Sequence, residues 1–172
     1  MPYLPKILVT DRDHAEALLV SQAWPLRYLI SIGDDVADAP SLSCHPGPHV
    51  RLVFHDLNGD DRAGYVGFAP ADARRLVDFC ALVAQDPGAT LIHCAAGISR
   101  STAAALVLIA TMMGPGEEAA SVESLVDAVT WTWANDLREV QMILPNRRVV
   151  ALCDQLLGRE GRLLAARDEF FG

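Results

Sequence analysis

The sequence predicts an α/β fold with a mainly parallel central sheet of about four to five strands and helices on both faces. Short apolar runs alternate along the chain with longer segments whose apolar residues recur at helical spacing. Strands that alternate with helices form parallel sheets that are covered on both sides. The length of 172 residues, with 51% hydrophobic residues, suits a single folded domain over residues 1–172.

Three predicted strands lie in the first third of the chain. They are the apolar runs 6–10, 27–32 and 49–55. Between the first two runs, Asp11 can cap a helix that extends from about residue 12 to residue 22. In the third run, alternation places Val50, Leu52 and Phe54 on one face of the sheet.

The rest of the chain predicts one more strand and several helices. An apolar run at residues 90–93 leads into Cys94, after a helix over residues 70–85 that has Pro70 in its first turn. Further helices are predicted over residues 100–113, 117–128, 146–158 and 161–170, and Asn146 can cap the one that begins at residue 146. Residues 130–143 fit either a strand or a helix, because Trp131 and Trp133 alternate whereas later residues follow helical spacing.

The loop between the last predicted strand and the 100–113 helix predicts an anion site. Free N–H groups and the helix dipole favour an anion there. The backbone amides of one short segment can surround a tetrahedral oxyanion, and the segment consists of Cys94, Ala95, Ala96, Gly97, Ile98, Ser99 and Arg100. The planar Arg100 fork can bind two phosphate oxygens. In the same field Cys94 is predicted to be a thiolate nucleophile, with Ser101 as a donor to its sulfur.

The string 93–101, His-Cys-Ala-Ala-Gly-Ile-Ser-Arg-Ser, resembles the signature loop of the cysteine-dependent protein tyrosine phosphatases, and most of all their dual-specificity branch. The order of predicted elements is similar over most of the chain, which looks like a bacterial member of that branch. The resemblance implies that Cys94 is the nucleophile, that Arg100 binds phosphate and that His93 orients the loop. It also implies a reaction that needs no metal and no organic cofactor.

The same resemblance implies a general acid in the loop after the third strand. Residues 56–69 carry three aspartates and three glycines, and such long loops in compact domains are usually functional. Asp56 matches the family by its position after the strand, whereas Asp60 and Asp61 lie nearer to the usual spacing from the nucleophile. The segment 114–145 is longer than in typical members, so its role does not carry over.

The amino-acid composition indicates which classes of partner and which cell compartment are favoured. The net charge of −8 disfavours nucleic acid and anionic membranes. No segment resembles a signal peptide or is apolar over the length of a membrane span. The four scattered cysteines show no metal spacing, and a nucleophilic thiol suits a reducing cytoplasm, where we expect the protein.

These observations predict a phosphoprotein phosphatase that hydrolyses phosphotyrosine, with phosphoserine and phosphothreonine as open alternatives, through a cysteinyl-phosphate. Residues 95, 96, 98 and 99 carry no basic side chain, which favours a phosphoprotein over an inositol phosphate or another small phosphomonoester. Two other hypotheses fit a cysteine loop of this size. One is an inactive phosphate-binding module, and the other is a sulfur-transfer or arsenate-reducing enzyme.

Overall fold

The computed structural model describes residues 4–139 and 141–172, which form a four-stranded sheet and six α-helices. The strands are β1 (Ile7–Thr10), β2 (Tyr28–Gly33), β3 (His49–Val53) and β4 (Thr90–His93), in the order β1-β4-β2-β3. All three strand pairs are parallel, so the predicted α/β class with a parallel sheet is confirmed. The helices are α1 (Arg12–Ser21), α2 (Pro70–Gln85), α3 (Arg100–Met113), α4 (Glu118–Ala134), α5 (Arg147–Leu156) and α6 (Arg162–Phe171).

Helices cover both faces of the sheet, and each face has its own apolar core. On one face Leu8, Leu29 and Leu91 pack against three apolar residues of α1, which are Ala15, Leu18 and Leu19. On the opposite face the alternate strand residues, such as Ile30 and Ile92, pack against α2, α3 and α5. The α3 helix is buried from Arg100 to Ala110, so it is the central helix of the larger core.

Local capping explains where two of the helices begin. The Asp11 Oδ1 accepts a hydrogen bond from the His14 N–H at 2.9 Å, which starts α1 directly after β1. The Asn146 Oδ1 accepts one from the Val149 N–H at 3.0 Å and starts α5. Asp11 lies at the edge of the sheet where the strands end, and Asn146 reaches the same edge through its contacts with Ser99 and Asp56.

Two elements end clearly away from their predicted ends, α4 and β3, and β3 ends at Val53 rather than at residue 55. The α4 helix continues past residue 128 to Ala134, because Trp131 packs edge to face on Trp24 with ring centroids 5.5 Å apart. The ambiguous stretch 130–143 is thus helical at its start, and the described residues that follow, 135–139 and 141–143, are irregular. No helix in the described part of the chain is long and apolar enough to cross a membrane.

Candidate active site

The segment from Cys94 to Arg100 forms a tight loop between β4 and α3, at the carboxyl end of the sheet. Gly97 has a φ of 69°, in the left-handed region that favours glycine. A Cβ at this residue would lie 2.7 Å from the Thr10 carbonyl carbon and 2.8 Å from the Asp11 nitrogen. The Arg12 N–H also donates to the Ala95 carbonyl at 3.3 Å. The β1–α1 connection therefore supports the loop from beneath, and only glycine permits that close approach.

The Cys94 side chain lies at the base of this loop and is only 2% exposed. Its Sγ accepts a hydrogen bond from the Gly97 N–H at 3.2 Å and lies 3.2 Å from the Ser101 Oγ. The sulfur also lies close to the first turn of α3. Donors and a helix N-terminus both stabilise a negatively charged sulfur more than a neutral thiol. The geometry therefore suits a nucleophile.

Among the described residues, those that anchor the Arg100 guanidinium contact its Nη1. It is 4% exposed, and its Nη1 donates to the Asp34 Oδ1 and to the Phe54 carbonyl, both at 2.7 Å. Its Nε is buried and has no hydrogen-bond partner in the part of the chain that the structure describes. A buried donor without an acceptor costs free energy. Arg51, Arg138 and Arg159 also have such an Nε, but Arg100 alone of the four belongs to the loop that holds the Cys94 sulfur, where an oxyanion could supply the acceptor. The unsatisfied Nε belongs to the edge with which a guanidinium binds two oxygens of a phosphate.

The structure brings Asp56 to the loop. Its Oδ1 accepts a hydrogen bond from the Ser99 Oγ at 2.7 Å and another from the Asn146 Nδ2 at 2.6 Å. The Asn146 N–H in turn donates to the Ser99 carbonyl at 3.0 Å, and its side chain also donates to the Leu57 carbonyl at 3.2 Å. Asn146 therefore links the loop of residues 94–100, called the anion loop below, to the loop of residues 56–69. The sequence predicts Asn146 only as the cap of a helix.

The two rival aspartates lie elsewhere in residues 56–69. The Asp61 Oδ1 accepts from the Gly67 N–H at 3.0 Å and from the Arg148 Nη1 at 2.7 Å. Both hydrogen bonds hold the pKa of Asp61 below its usual range, and the one from the Gly67 N–H has the larger effect. A carboxylate that is paired with the Arg148 guanidinium and favoured in its ionised form is poorly suited to donate a proton. Asp60 is exposed in the same loop.

Solved structures with a similar fold are phosphatases or phosphatase-like proteins. The human tyrosine phosphatase-like serine/threonine/tyrosine-interacting protein is 19% identical with a TM-score of 0.60, and the match covers 90% of this chain and 93% of that one. PTPMT1 in complex with PI(5)P is 12% identical with a TM-score of 0.51, over 95% and 94% of the two chains. The Yvh1 phosphatase domain from Chaetomium thermophilum is 15% identical with a TM-score of 0.50, over 92% and 94%.

The chain has the dual-specificity phosphatase fold. No family model and no curated protein matches the sequence. At these identities the likeness concerns the fold, and the roles of individual residues rest on the geometry of the site. The loop that holds Cys94 and Arg100 follows β4, which lies between β1 and β2 in the sheet.

Within this dual-specificity phosphatase fold, His93 is completely buried directly before the nucleophile candidate. Its Nε2 lies 2.7 Å from the Ser31 Oγ, and its Nδ1 lies 3.4 Å from the Cys94 carbonyl oxygen. Burial lowers the pKa of His93 to about 4, and the charge of Arg51 acts in the same direction. His93 is therefore a neutral ring at neutral pH, which suits a supporting role.

Arg138 is a charged residue near the loop that the sequence did not single out. It is 4% exposed, it stacks near the Trp133 ring, and its Nη2 donates to the Met142 carbonyl. Burial lowers the pKa of Arg138 to about 10, while the charges of Cys94 and Asp11 oppose that shift. The residue lies in the irregular stretch after α4, where sequence periodicity gives no indication of which side chains turn inwards.

The other thiols and the histidines form no second site. Burial raises the pKa of the Cys80 thiol and of the Cys153 thiol, so both are poor nucleophiles in the larger core. All four cysteines are free. Within residues 4–139 and 141–172, no group of three His, Cys, Asp or Glu side chains could hold a metal ion.

Proposed function

We propose that the chain is a phosphoprotein phosphatase that hydrolyses phosphotyrosine monoesters, and phosphoserine or phosphothreonine monoesters where these shorter side chains reach the loop. The observation that carries the proposal is the buried Arg100 Nε, which lacks a partner among the described residues and belongs to the loop that cradles the Cys94 sulfur. A tetrahedral dianion satisfies that donor, the loop amides and the helix dipole together. The phosphatase fold supports this reading.

The first chemical step would transfer the phosphoryl group to the enzyme. The Cys94 thiolate attacks phosphorus in line, so that an S–P bond forms while the P–O bond to the leaving group breaks. Arg100 and the loop amides stabilise the charge on the equatorial oxygens. Asp56, in its protonated form, donates its proton to the leaving oxygen.

The second step would release phosphate. The Asp56 carboxylate accepts a proton from water, the water oxygen bonds to phosphorus, and the S–P bond breaks to restore the thiolate. The Ser99 and Asn146 contacts fix Asp56 beside the loop, which favours this carboxylate over Asp61, bound to Arg148. Every step uses protein side chains and water, so chelators should leave the rate unchanged.

Substrate class follows from the local charges. The loop residues between Cys94 and Arg100 carry no basic side chain, and Asp34 already offsets part of the Arg100 charge from 2.7 Å. Multiply phosphorylated inositides require several cations close to the loop, so these features favour a phosphoprotein. Since the similar PTPMT1 structure holds PI(5)P, inositol phosphates belong in the test panel.

The decisive experiment compares phosphopeptides containing phosphotyrosine, phosphoserine or phosphothreonine with inositol phosphates, with and without EDTA. We expect turnover of phosphotyrosine peptides that EDTA does not reduce, and Cys94→Ser should bind phosphopeptide without turnover. If inositol phosphates are hydrolysed faster than phosphopeptides, the substrate is an inositol phosphate and not a phosphoprotein. Phosphopeptide binding without any wild-type turnover would indicate a phosphate-binding module. Reduction of arsenate would indicate an arsenate-reducing enzyme, and transfer of sulfur from thiosulfate would indicate a sulfur-transfer enzyme.

A second experiment tests the acid. General acids contribute about 10^2- to 10^4-fold in rate, and most where the leaving group is poor. Asp56→Asn should therefore slow tyrosyl phosphate strongly and nitrophenyl phosphate less, and it should remove the fall in activity at high pH. Asp61→Asn is the matched control from the same loop and should keep the wild-type profile. If Asp61→Asn flattens the alkaline limb instead, the acid lies deeper in the loop.

A further inference from the structure

One polar row crosses the sheet close to the carboxyl ends of its strands. Thr10, His93, Ser31 and Arg51 are register partners on β1, β4, β2 and β3, in that spatial order. Register partners in a parallel sheet point to the same face. This is the face of Leu8, Leu29 and Leu91, whereas Cys94 lies in the opposite core. The row therefore lies just behind the nucleophile, across the sheet from it.

Hydrogen bonds run along this row from Arg51 to the Cys94 backbone. The Arg51 Nη1 donates to the Ser31 Oγ at 2.9 Å, and the Ser31 Oγ lies 2.7 Å from the His93 Nε2. The other ring nitrogen, His93 Nδ1, lies 3.4 Å from the Cys94 carbonyl oxygen. Ser31 and His93 are both completely buried, so water does not compete for these groups.

The chemistry of the donors fixes the positions of the hydrogen atoms in the hydrogen bonds that join Arg51, Ser31 and His93. A guanidinium can only donate, so the Ser31 oxygen accepts from Arg51. The Ser31 hydroxyl hydrogen is then directed to the unprotonated His93 Nε2. A neutral imidazole with a bare Nε2 carries its hydrogen on Nδ1, facing the Cys94 carbonyl. The opposite tautomer would set an Nδ1 lone pair against that carbonyl oxygen and would leave the Ser31 hydrogen without an acceptor among the described residues.

Arg51 itself is held by the loop that follows β2. It donates to the Asp35 carbonyl at 2.7 Å and to the Asp38 carboxylate, with which it forms an ion pair. Burial disfavours the ionised Asp38, but the hydrogen bond from the Asp34 N–H and the Arg51 charge outweigh it and lower the pKa of Asp38. Asp34 is also the carboxylate that anchors Arg100.

We propose that Arg51 is a positioning residue of the active site, which acts through Ser31 to fix His93 as the Nδ1–H tautomer and so holds the Cys94 carbonyl at the start of the anion loop. The proposal rests on the proposed function only in naming Cys94 as the nucleophile. Arg51 touches neither the sulfur nor a phosphate in this arrangement. Its effect reaches the site through the orientation of the backbone that carries Cys94.

The test combines two variants with a matched control. Arg51→Met removes the donor to Ser31, and Ser31→Ala removes the link while leaving the Arg51–Asp38 ion pair in place. Arg27→Met is the control, because Arg27 also pairs with an aspartate, Asp86, but precedes β2 at the opposite end of the sheet. The readouts are the protonation of the two His93 ring nitrogens by NMR, the alkylation rate of Cys94 by iodoacetate, and kcat and KM for a phosphotyrosine peptide.

We expect wild type and Arg27→Met to carry the His93 hydrogen on Nδ1 only. Arg51→Met and Ser31→Ala should show both tautomers and a kcat lower by about tenfold, the value of roughly one hydrogen bond, with KM changed less than kcat. Arg51→Lys should restore the single tautomer, because its ammonium can also donate to Ser31.

A single Nδ1–H tautomer and a wild-type kcat in Arg51→Met would overturn the proposal. If Arg51→Met does not fold, Arg51→Lys and Ser31→Ala decide the question in the same way. A wild-type protein with the Nδ1–H tautomer but no phosphatase turnover would overturn the proposed function alone, because NMR and alkylation need no substrate.

Discussion

Mild acidification should destabilise the fold through His93. Burial lowers the pKa of this residue from 6.5 to about 4, so between those values the unfolded chain binds a proton that the folded protein does not. The stability that neutral His93 contributes is therefore complete above about pH 6.5 and is lost as the pH falls towards 4.

The size of the effect follows from the same shift. The full difference corresponds to about 3 kcal/mol, and the part lost between pH 7 and pH 5.5 is about 1.2 kcal/mol. That loss is measurable against a typical domain stability of about 5–15 kcal/mol. Working above pH 5.5 keeps the protein away from its isoelectric point near 4.9, where precipitation would interfere.

The assay is urea unfolding at several pH values, followed by tryptophan fluorescence, for wild type and His93→Asn. The difference between the two proteins isolates His93, because His45, whose pKa burial also lowers, is present in both. The wild-type free energy of unfolding should fall more steeply with decreasing pH than that of His93→Asn. His49→Gln, at an exposed position at the start of β3, should keep the wild-type slope. Parallel curves for wild type and His93→Asn would refute the reasoning.

Three substitutions near the loop give further predictions. Arg100→Lys keeps the charge but loses the fork, so kcat for a phosphotyrosine peptide should fall by orders of magnitude more than KM rises; a change in KM alone would make Arg100 a simple binding charge. Gly97→Ala places a side chain at a φ of 69° against the β1–α1 backbone, so urea unfolding should show a loss of about 2–3 kcal/mol, and an unchanged midpoint would contradict the packing described. Arg138→Met replaces a buried cation by an apolar chain, so Cys94 alkylation should slow severalfold without loss of unfolding free energy; an unchanged alkylation rate would remove Arg138 from the site.

The sequence predicted the parts of the site that depend on neighbours in the chain. Cys94 and Arg100 belong to one short loop between a strand and a helix, so their spacing alone indicates an anion site. The parallel sheet also followed from local patterns, because strand and helix periodicities differ. The prediction of Asp56 rests on the predicted strand 49–55, because the carboxyl ends of parallel strands meet at one edge. In the structure this strand ends at Val53, and Asp56 still lies at that edge.

Contacts between distant segments could not be predicted in this way. Arg51, on β3, reaches His93 only because β2 lies between their strands, and strand order depends on the whole fold. Asn146 carried a clear capping signal, but the contact of its amide with Asp56 depends on how the loop of residues 56–69 folds over α5. Arg138 lies where local periodicity ends, so the direction of its side chain is decided by tertiary packing alone.

The Asn146 side chain also determines which parts of the molecule open together. Its oxygen holds the first turn of α5, its nitrogen holds Asp56, and its backbone N–H holds Ser99. A local opening of that turn therefore releases Asp56 and one wall of the anion loop in the same event. Binding of an oxyanion to the loop should consequently slow hydrogen exchange at the Val149 and Val150 amides, in a helix that does not itself touch the anion.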